Sequence, residues 1–231
     1  LVVIGLSLII ASGCVFNNYI DRDIDALMER TKRRALVRGV VPIMHALLYG
    51  SVLGLIGVSI LGLYTNLVTV AAALLGLFVY VVVYSLWLKR TSVHSAIIGG
   101  VSGAMPPVVG YLAVTGSIDV GVVILFLILV VWQMPHSFAI AMYRMGDYQA
   151  AHIPVLPVVR GVRKAKLQII AYTVLFVITT SLLFVFGYAG KLYLYSMAIL
   201  GGMWIGVTFL GFTPGRSDDK VWAKKVFVFS I

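Results

Sequence analysis

Apolar residues in this chain do not alternate with polar ones; they run on for long stretches. Mostly apolar runs cover 1–20, 41–62, 68–88, 95–112, 120–142, 167–187 and 192–211, and a further run starts near 222. Each full run is close to the roughly 20 residues that an α-helix needs to cross a bilayer. A membrane-spanning strand would instead alternate over about ten residues and would have to close into a barrel. Lipid offers no partner for a free peptide group, so helices are the remaining solution. The pattern predicts an all-α, polytopic transmembrane helix bundle in a single domain over 1–231. About seven spans are complete and an eighth begins. The fourth run is the shortest and holds Pro106 and Pro107, so a break or kink is expected there. Leu1–Ile10 is already apolar and Phe227–Ile231 stops within an apolar run, which predicts a further helix at each end of a longer parent chain.

Composition agrees with the pattern. The chain is 61% hydrophobic and 11% charged, with mean hydropathy +1.05; soluble domains sit nearer about 45–50% and about 25%. The 23 glycines suit close helix packing in lipid. The single Cys14 lies in an apolar run and says nothing about disulfides.

Charge then orients the bundle. The connections 21–40, 89–94, 143–166 and 212–225 are basic, whereas 63–67, 113–119 and 188–191 are short and nearly neutral. Seventeen of the eighteen Lys and Arg fall in the first set, and only Lys191 falls in the second. Such an excess marks the cytoplasmic face. The net charge of +10 therefore reads as topology; divided among four loops, it does not form the single basic face of a nucleic-acid partner.

Topology needs Lys and Arg but not Asp, yet Asp21, Asp23, Asp25, Glu29 and Asp147 sit in two of the basic loops. Asn17, Asp21 and Asp25 are four residues apart. On a helix each such step turns by only about 40° and rises about 6 Å, so the three make one polar stripe, with Asp23 on roughly the opposite side. Carboxylates at i and i+4 repel each other, and a cation between them relieves the repulsion. Carboxylate and amide oxygens suit Mg²⁺, which completes its shell with water and phosphate oxygens. Arg30, Lys32, Arg33 and Arg34 follow directly. Acids that hold a metal beside bases that hold anions make a metal-bridged diphosphate site. The plainer alternative is a solvated loop whose acids pair with neighbouring bases.

A second constellation, VWQMPHSFAIAMYRMGDY, covers 131–148. Trp132, Gln133 and His136 lie in its apolar part, and Arg144 and Asp147 at its end. His136 and Arg144 are eight apart and so share a helix face. Ionisable groups within a span point to function, so His136 is read either as a packing histidine, a metalloporphyrin ligand, a proton acceptor or a polar contact to substrate. His45, His94 and His152 lie near span ends and look ordinary.

NNYIDRDID followed by ERTKRR resembles the Asn-x-x-x-Asp-x-x-x-Asp and Arg-Thr-x-x-Arg motifs of the UbiA-type membrane prenyltransferase superfamily. YSLWLKRTSVHSAIIGGVSGAMPPVVGYLAVTG (84–116) and WQMPHSFAIAMYRMGDYQAAHIPVLP (132–157) are similar to signature stretches of its haem-farnesylating branch. The resemblance covers essentially the whole chain. It implies nine helices around a cavity, with both acidic motifs at the cytoplasmic mouth, in a bacterial inner membrane. It makes Asn17, Asp21 and Asp25 ligands of Mg²⁺ and diphosphate, Arg30, Arg34 and Arg144 diphosphate contacts, and Asp147 a member of the second motif. His136 stands roughly where that motif elsewhere has Asp, and is given a haem contact. The implied reaction joins farnesyl diphosphate to a vinyl group of haem b with addition of water, giving haem O. The implied partners beyond these substrates are the lipid bilayer and a terminal oxidase or its assembly pathway. A prenyltransferase acting on a quinone or other aromatic acceptor is the second reading. A transporter is the third, although the sequence shows no clear internal repeat of the kind transporters carry.

Overall fold

The apolar runs close into helices, which pair every internal peptide group without water. The computed structural model describes residues 1–213 and 218–231 and has seven helices long and apolar enough to cross a membrane. The chain order is α1 (Val2–Ile20), α2 (Arg22–Leu27), α3 (Ile43–Tyr64) and α4 (Leu67–Phe78). A π-helical stretch, Val79–Leu88, carries α4 on into α5 (Lys89–Thr91). Next come α6 (Ser95–Thr115), α7 (Val120–Tyr143), α8 (Met145–Ala150), α9 (Leu156–Arg160), α10 (Val162–Val185), α11 (Lys191–Phe209) and α12 (Asp219–Phe229). No strand occurs among the described residues. The all-α bundle expected from the hydrophobic pattern is the fold found. Part of the 212–225 loop, residues 214–217 with Arg216, lies outside the described residues.

Two boundaries depart from the pattern. The sixth span begins at Val162, not 167, because Gly161 takes φ +84° and lets a new helix start with Arg163, Lys164 and Lys166 in its opening turns. The expected break at Pro106–Pro107 does not occur: α6 runs unbroken from Ser95 to Thr115. The prolines instead remove two N–H donors from the middle of a continuous helix. The carbonyls of Ser102 and Gly103, four residues earlier, thereby lose their usual intrahelical partners.

Small residues set the helix spacing. A Cβ added at Gly57 would lie 2.7 Å from the carbonyl oxygen of Gly5 and 3.0 Å from the backbone nitrogen of Ile9, so α3 crosses α1 backbone to backbone. At Gly76 of α4 an added Cβ would lie 2.9 Å from the Met105 side chain of α6. Gly57→Ala should therefore force α1 and α3 apart and cost about 1–3 kcal/mol, read as a lower unfolding midpoint of the detergent-solubilised protein; an unchanged midpoint would refute this contact as a packing constraint.

The up-and-down order brings the polar ends together. The end of α1, the end of α5 and the start of α6, and the end of α7 meet at one end of the bundle, where α2, α8 and α9 cover them. Lys166 of α10 and Asp219 of α12 pair at 2.5 Å. A buried core of Met134, Phe138, Ile169 and Trp222 holds α7, α10 and α12 together beneath that pair.

Candidate active site

The four-residue spacing works as a stripe only if the chain stays helical past the membrane edge, and it nearly does. α1 ends at Ile20, Asp21 makes one turn, and α2 starts at Arg22. The amide N–H of Asp25 still donates to the carbonyl of Asp21 at 2.8 Å, so the helical register carries across the junction. Asn17, Asp21 and Asp25 are all buried, at 9%, 0% and 2% exposure. Asp23, on the other face, is exposed and takes both guanidinium nitrogens of Arg90, at 2.6 and 2.7 Å. That guanidinium holds the Asp23 carboxyl down to about 2. The pair's contribution is thus present above the ordinary carboxylate pKa and lost only as pH falls through about 2; being exposed, it is small.

The buried stripe is wired by residues that spacing alone does not reveal. Asn17 Nδ2 donates to Asp21 Oδ2 at 2.7 Å and to Ser85 Oγ at 2.9 Å. Lys89 Nζ makes a short contact to the same Asp21 oxygen, 68 residues away in sequence. Arg34 donates to Asp25 Oδ2 at 2.5 Å. Thr31, itself buried, donates to the Asp25 carbonyl at 3.0 Å and so folds the loop back far enough for Arg34 to reach. The π-helix supplies Ser85, whose hydroxyl donates to the Tyr80 carbonyl five residues back. Such helices are rare and favour functional sites.

One oxygen is left over. Asp21 Oδ1 is buried and has no hydrogen-bond partner among the described residues. A buried carboxylate oxygen without a partner is costly, and a hard cation there would satisfy it. No group of three His, Cys, Asp or Glu is placed to hold a metal among the described residues. The donors are instead two carboxylates and one amide, which fits an ion such as Mg²⁺ that keeps much of its shell for water and phosphate.

The second constellation joins the first through apolar contact. Ile24 and Met28 pack against Ala151 and Ile153, with Tyr148 beside them. His152 takes φ +53° and turns the loop so that the Ile153 amide bonds the Tyr148 carbonyl at 2.9 Å. Burial pushes the Tyr148 phenol up, and the charges of Arg30, Asp147 and Arg144 all act on it. Arg144 itself lies over the Tyr143 ring at 4.7 Å. Arg30, Arg144 and Asp147 join no ion pair among the described residues.

A cavity of about 290 Å³ is lined by Lys89, Tyr148, Tyr80, Tyr84, Gln133 and Ser137 among others, and meets the acidic stripe through Lys89 rather than through Asn17, Asp21 or Asp25 themselves. A second, apolar cavity of about 240 Å³ shares Tyr80, Ser102 and Gly103 with it and is walled by Leu6, Ile10 and Leu77 among others. His136 is not among the residues lining either cavity. The structure places His136 away from these two cavities. Successive residues on a helix turn by about 100°, so Gln133 and Ser137 form one stripe facing the cavity while Trp132 and His136 form another. The His136 ring stacks on Trp132 at 4.8 Å and meets Phe227 at 5.1 Å. Its Nδ1 lies 2.7 Å from Ser230 Oγ, whose hydroxyl already donates to the Phe227 carbonyl, so the imidazole N–H is the donor. In this arrangement the ring packs against α12.

A model of the UbiA prenyltransferase family matches residues 1–231. Two curated relatives named protoheme IX farnesyltransferase, from Photorhabdus laumondii and Chromohalobacter salexigens, are 51% and 55% identical to this chain. Each match covers 99% of the chain and 77% of the relative. Among solved structures, one described as a digeranylgeranylglyceryl phosphate synthase superposes with TM-score 0.79 at 24% identity, over 99% of this chain and 78% of the other. A UbiA homolog from Archaeoglobus fulgidus, bound to GPP and Mg²⁺, superposes with TM-score 0.65 at 16% identity, over 99% and 83%. The two structures share the fold.

Proposed function

This chain belongs to the UbiA prenyltransferase family, and from that premise we propose that it transfers a farnesyl group from farnesyl diphosphate to a vinyl group of haem b, with addition of water, to give haem O. The protein is an integral membrane prenyltransferase; the farnesyl donor and the haem acceptor are the proposal. The acceptor rests on relatives more than half identical over nearly the whole chain that are named protoheme IX farnesyltransferase. Prenyl transfer in this chain is supported by one observation, the buried Asp21 with an unpaired oxygen, held by Lys89, which in turn lines the cavity.

Asn17, Asp21 and Asp25 would hold Mg²⁺, which when bound supplies positive charge against the departing diphosphate. Lys89 and Arg34 hold the two carboxylates in place, and Arg30 and Arg144 offer free guanidinium groups to the diphosphate oxygens. The second, apolar cavity accepts the prenyl chain. Loss of diphosphate leaves an allylic cation, which the Tyr80 and Tyr84 rings face. The Tyr148 loop and the bundle walls exclude bulk water and so protect the cation. Asp147 stays near the mouth as a further acidic group of the second motif. The excess of Lys and Arg in the basic loops supports a site that faces the cytoplasm, and a bacterial inner membrane belongs to the same proposal.

Purified protein incubated with haem b, farnesyl diphosphate and Mg²⁺ should give haem carrying one farnesyl group and one water, read by mass. Unchanged haem, with prenylation of a quinone or another aromatic acceptor instead, would overturn the haem assignment and keep the prenyltransferase.

A further inference from the structure

Gln133 sits where α7 crosses α6, and its position is unusual in two ways. A Cβ built on Gly103 would lie 2.1 Å from Gln133 Oε1 and 2.5 Å from Nε2, so the amide rests on bare backbone and fits only because residue 103 is glycine. Oε1 is buried and accepts no hydrogen bond among the described residues. A buried amide oxygen left unpaired is costly. Of the described residues lining the cavity, Gln133 is the one with such an oxygen.

Further polar atoms gather at the same place. Ser137, one turn along α7, lines the same cavity. Ser102 and Gly103 line it from α6, and their carbonyls are the two deprived of intrahelical donors by Pro106 and Pro107. A buried water needs two to four polar partners, and this corner of the cavity assembles them. Tyr80 and Tyr84 face the same space.

We propose that Gln133 seats the water consumed in the reaction, so that the cation formed after prenyl transfer is captured by oxygen and not lost to elimination. This rests on the proposed haem farnesylation. The farnesyl C–O bond breaks and its electron pair leaves with diphosphate. The farnesyl carbon bonds the terminal vinyl carbon, which puts positive charge on the vinyl carbon attached to the ring. The water oxygen bonds that carbon, and the proton it sheds goes to the released diphosphate, which balances the step. Gln133 Oε1 accepts a hydrogen bond from the water and aims its lone pair; it takes no proton itself. An apolar cavity without such a seat would let the cation discharge a proton and give a diene.

The test is the product, not only the rate. Gln133→Leu should lower the ratio of hydroxylated to dehydrated farnesyl-haem by about tenfold, the value of one hydrogen bond to the reacting water, with the KM for farnesyl diphosphate nearly unchanged. Gly103→Ala keeps the glutamine but displaces its amide, and should shift the ratio in the same direction; it serves if the leucine variant fails to fold. Ser137→Ala should shift it less. Fully hydroxylated product from Gln133→Leu and Gly103→Ala at the wild-type ratio would overturn the proposal. So would loss of haem binding with the ratio unchanged, since that would make Gln133 a contact of the acceptor itself. Wild-type protein that leaves haem unmodified would overturn the farnesylation reading, and the water seat with it.

Discussion

Asp21→Asn should remove most turnover, by about 10²–10³-fold, as is typical when one preorganised electrostatic contact to a developing charge is lost. The amide keeps the shape of the side chain and discards its charge. At this position the charge is fully buried, one oxygen is held by Asn17 and Lys89, and the other has no partner among the described residues. An arrangement that held Asp21 for stability alone would pair both oxygens. Asp25→Asn should behave similarly, because Asp25 lies one turn further along the same buried stripe. Asp23→Asn is the control. It loses an exposed pair with Arg90, worth about 0–1 kcal/mol, and turnover should stay within a few-fold of wild type. Steady-state rates of farnesyl transfer by the three purified variants decide the matter, and equal losses in all three would show that the buried face has no special role.

The helical stripe was legible in the sequence because it is local. Asn17, Asp21 and Asp25 are near neighbours in the chain, and helical periodicity alone places Asp23 opposite them. The spans were legible because a bilayer sets a minimum length of apolar chain. What the sequence hides is long-range. Lys89 reads as one more basic residue at the end of a span, counted only toward topology, yet it reaches Asp21 across 68 positions. Ser85 sits inside an apolar run with nothing to mark it, and it becomes a site residue through the π-helix that turns it toward Asn17. Thr31 was visible within the basic motif, but its role in fastening the loop to the Asp25 carbonyl is a matter of geometry. The surroundings of His136 were hidden for a related reason. A polar residue within a span points inward, but inward includes the contact with α12, and a rotation of about 100° from Ser137 suffices to turn it there. The prolines of α6 misled because a helix can remain continuous while losing two hydrogen bonds, provided that other donors can reach the freed carbonyls.

Lys89→Met tests the long-range link most sharply. The substitution keeps the aliphatic stem and removes the ammonium, leaving the Asp21 carboxylate at 0% exposure with no cation beside it. Removing one partner of a buried pair typically costs about 3–5 kcal/mol, because the other charge stays buried and unpaired. The unfolding midpoint of the solubilised variant should therefore fall clearly below that of wild type. Adding Asp21→Asn to Lys89→Met removes the stranded charge as well, so the double variant should regain most of the stability while remaining inactive. Millimolar Mg²⁺ should raise the midpoint of Lys89→Met more than that of wild type, since a cation bound only by the folded protein stabilises it and the variant offers Asp21 without a competing ammonium. A Lys89→Met protein as stable as wild type would mean that the Asp21–Lys89 contact does not hold α1 to α5. A double variant less stable than Lys89→Met would mean that the lost stability comes from packing of the lysine stem and not from the charge it carries.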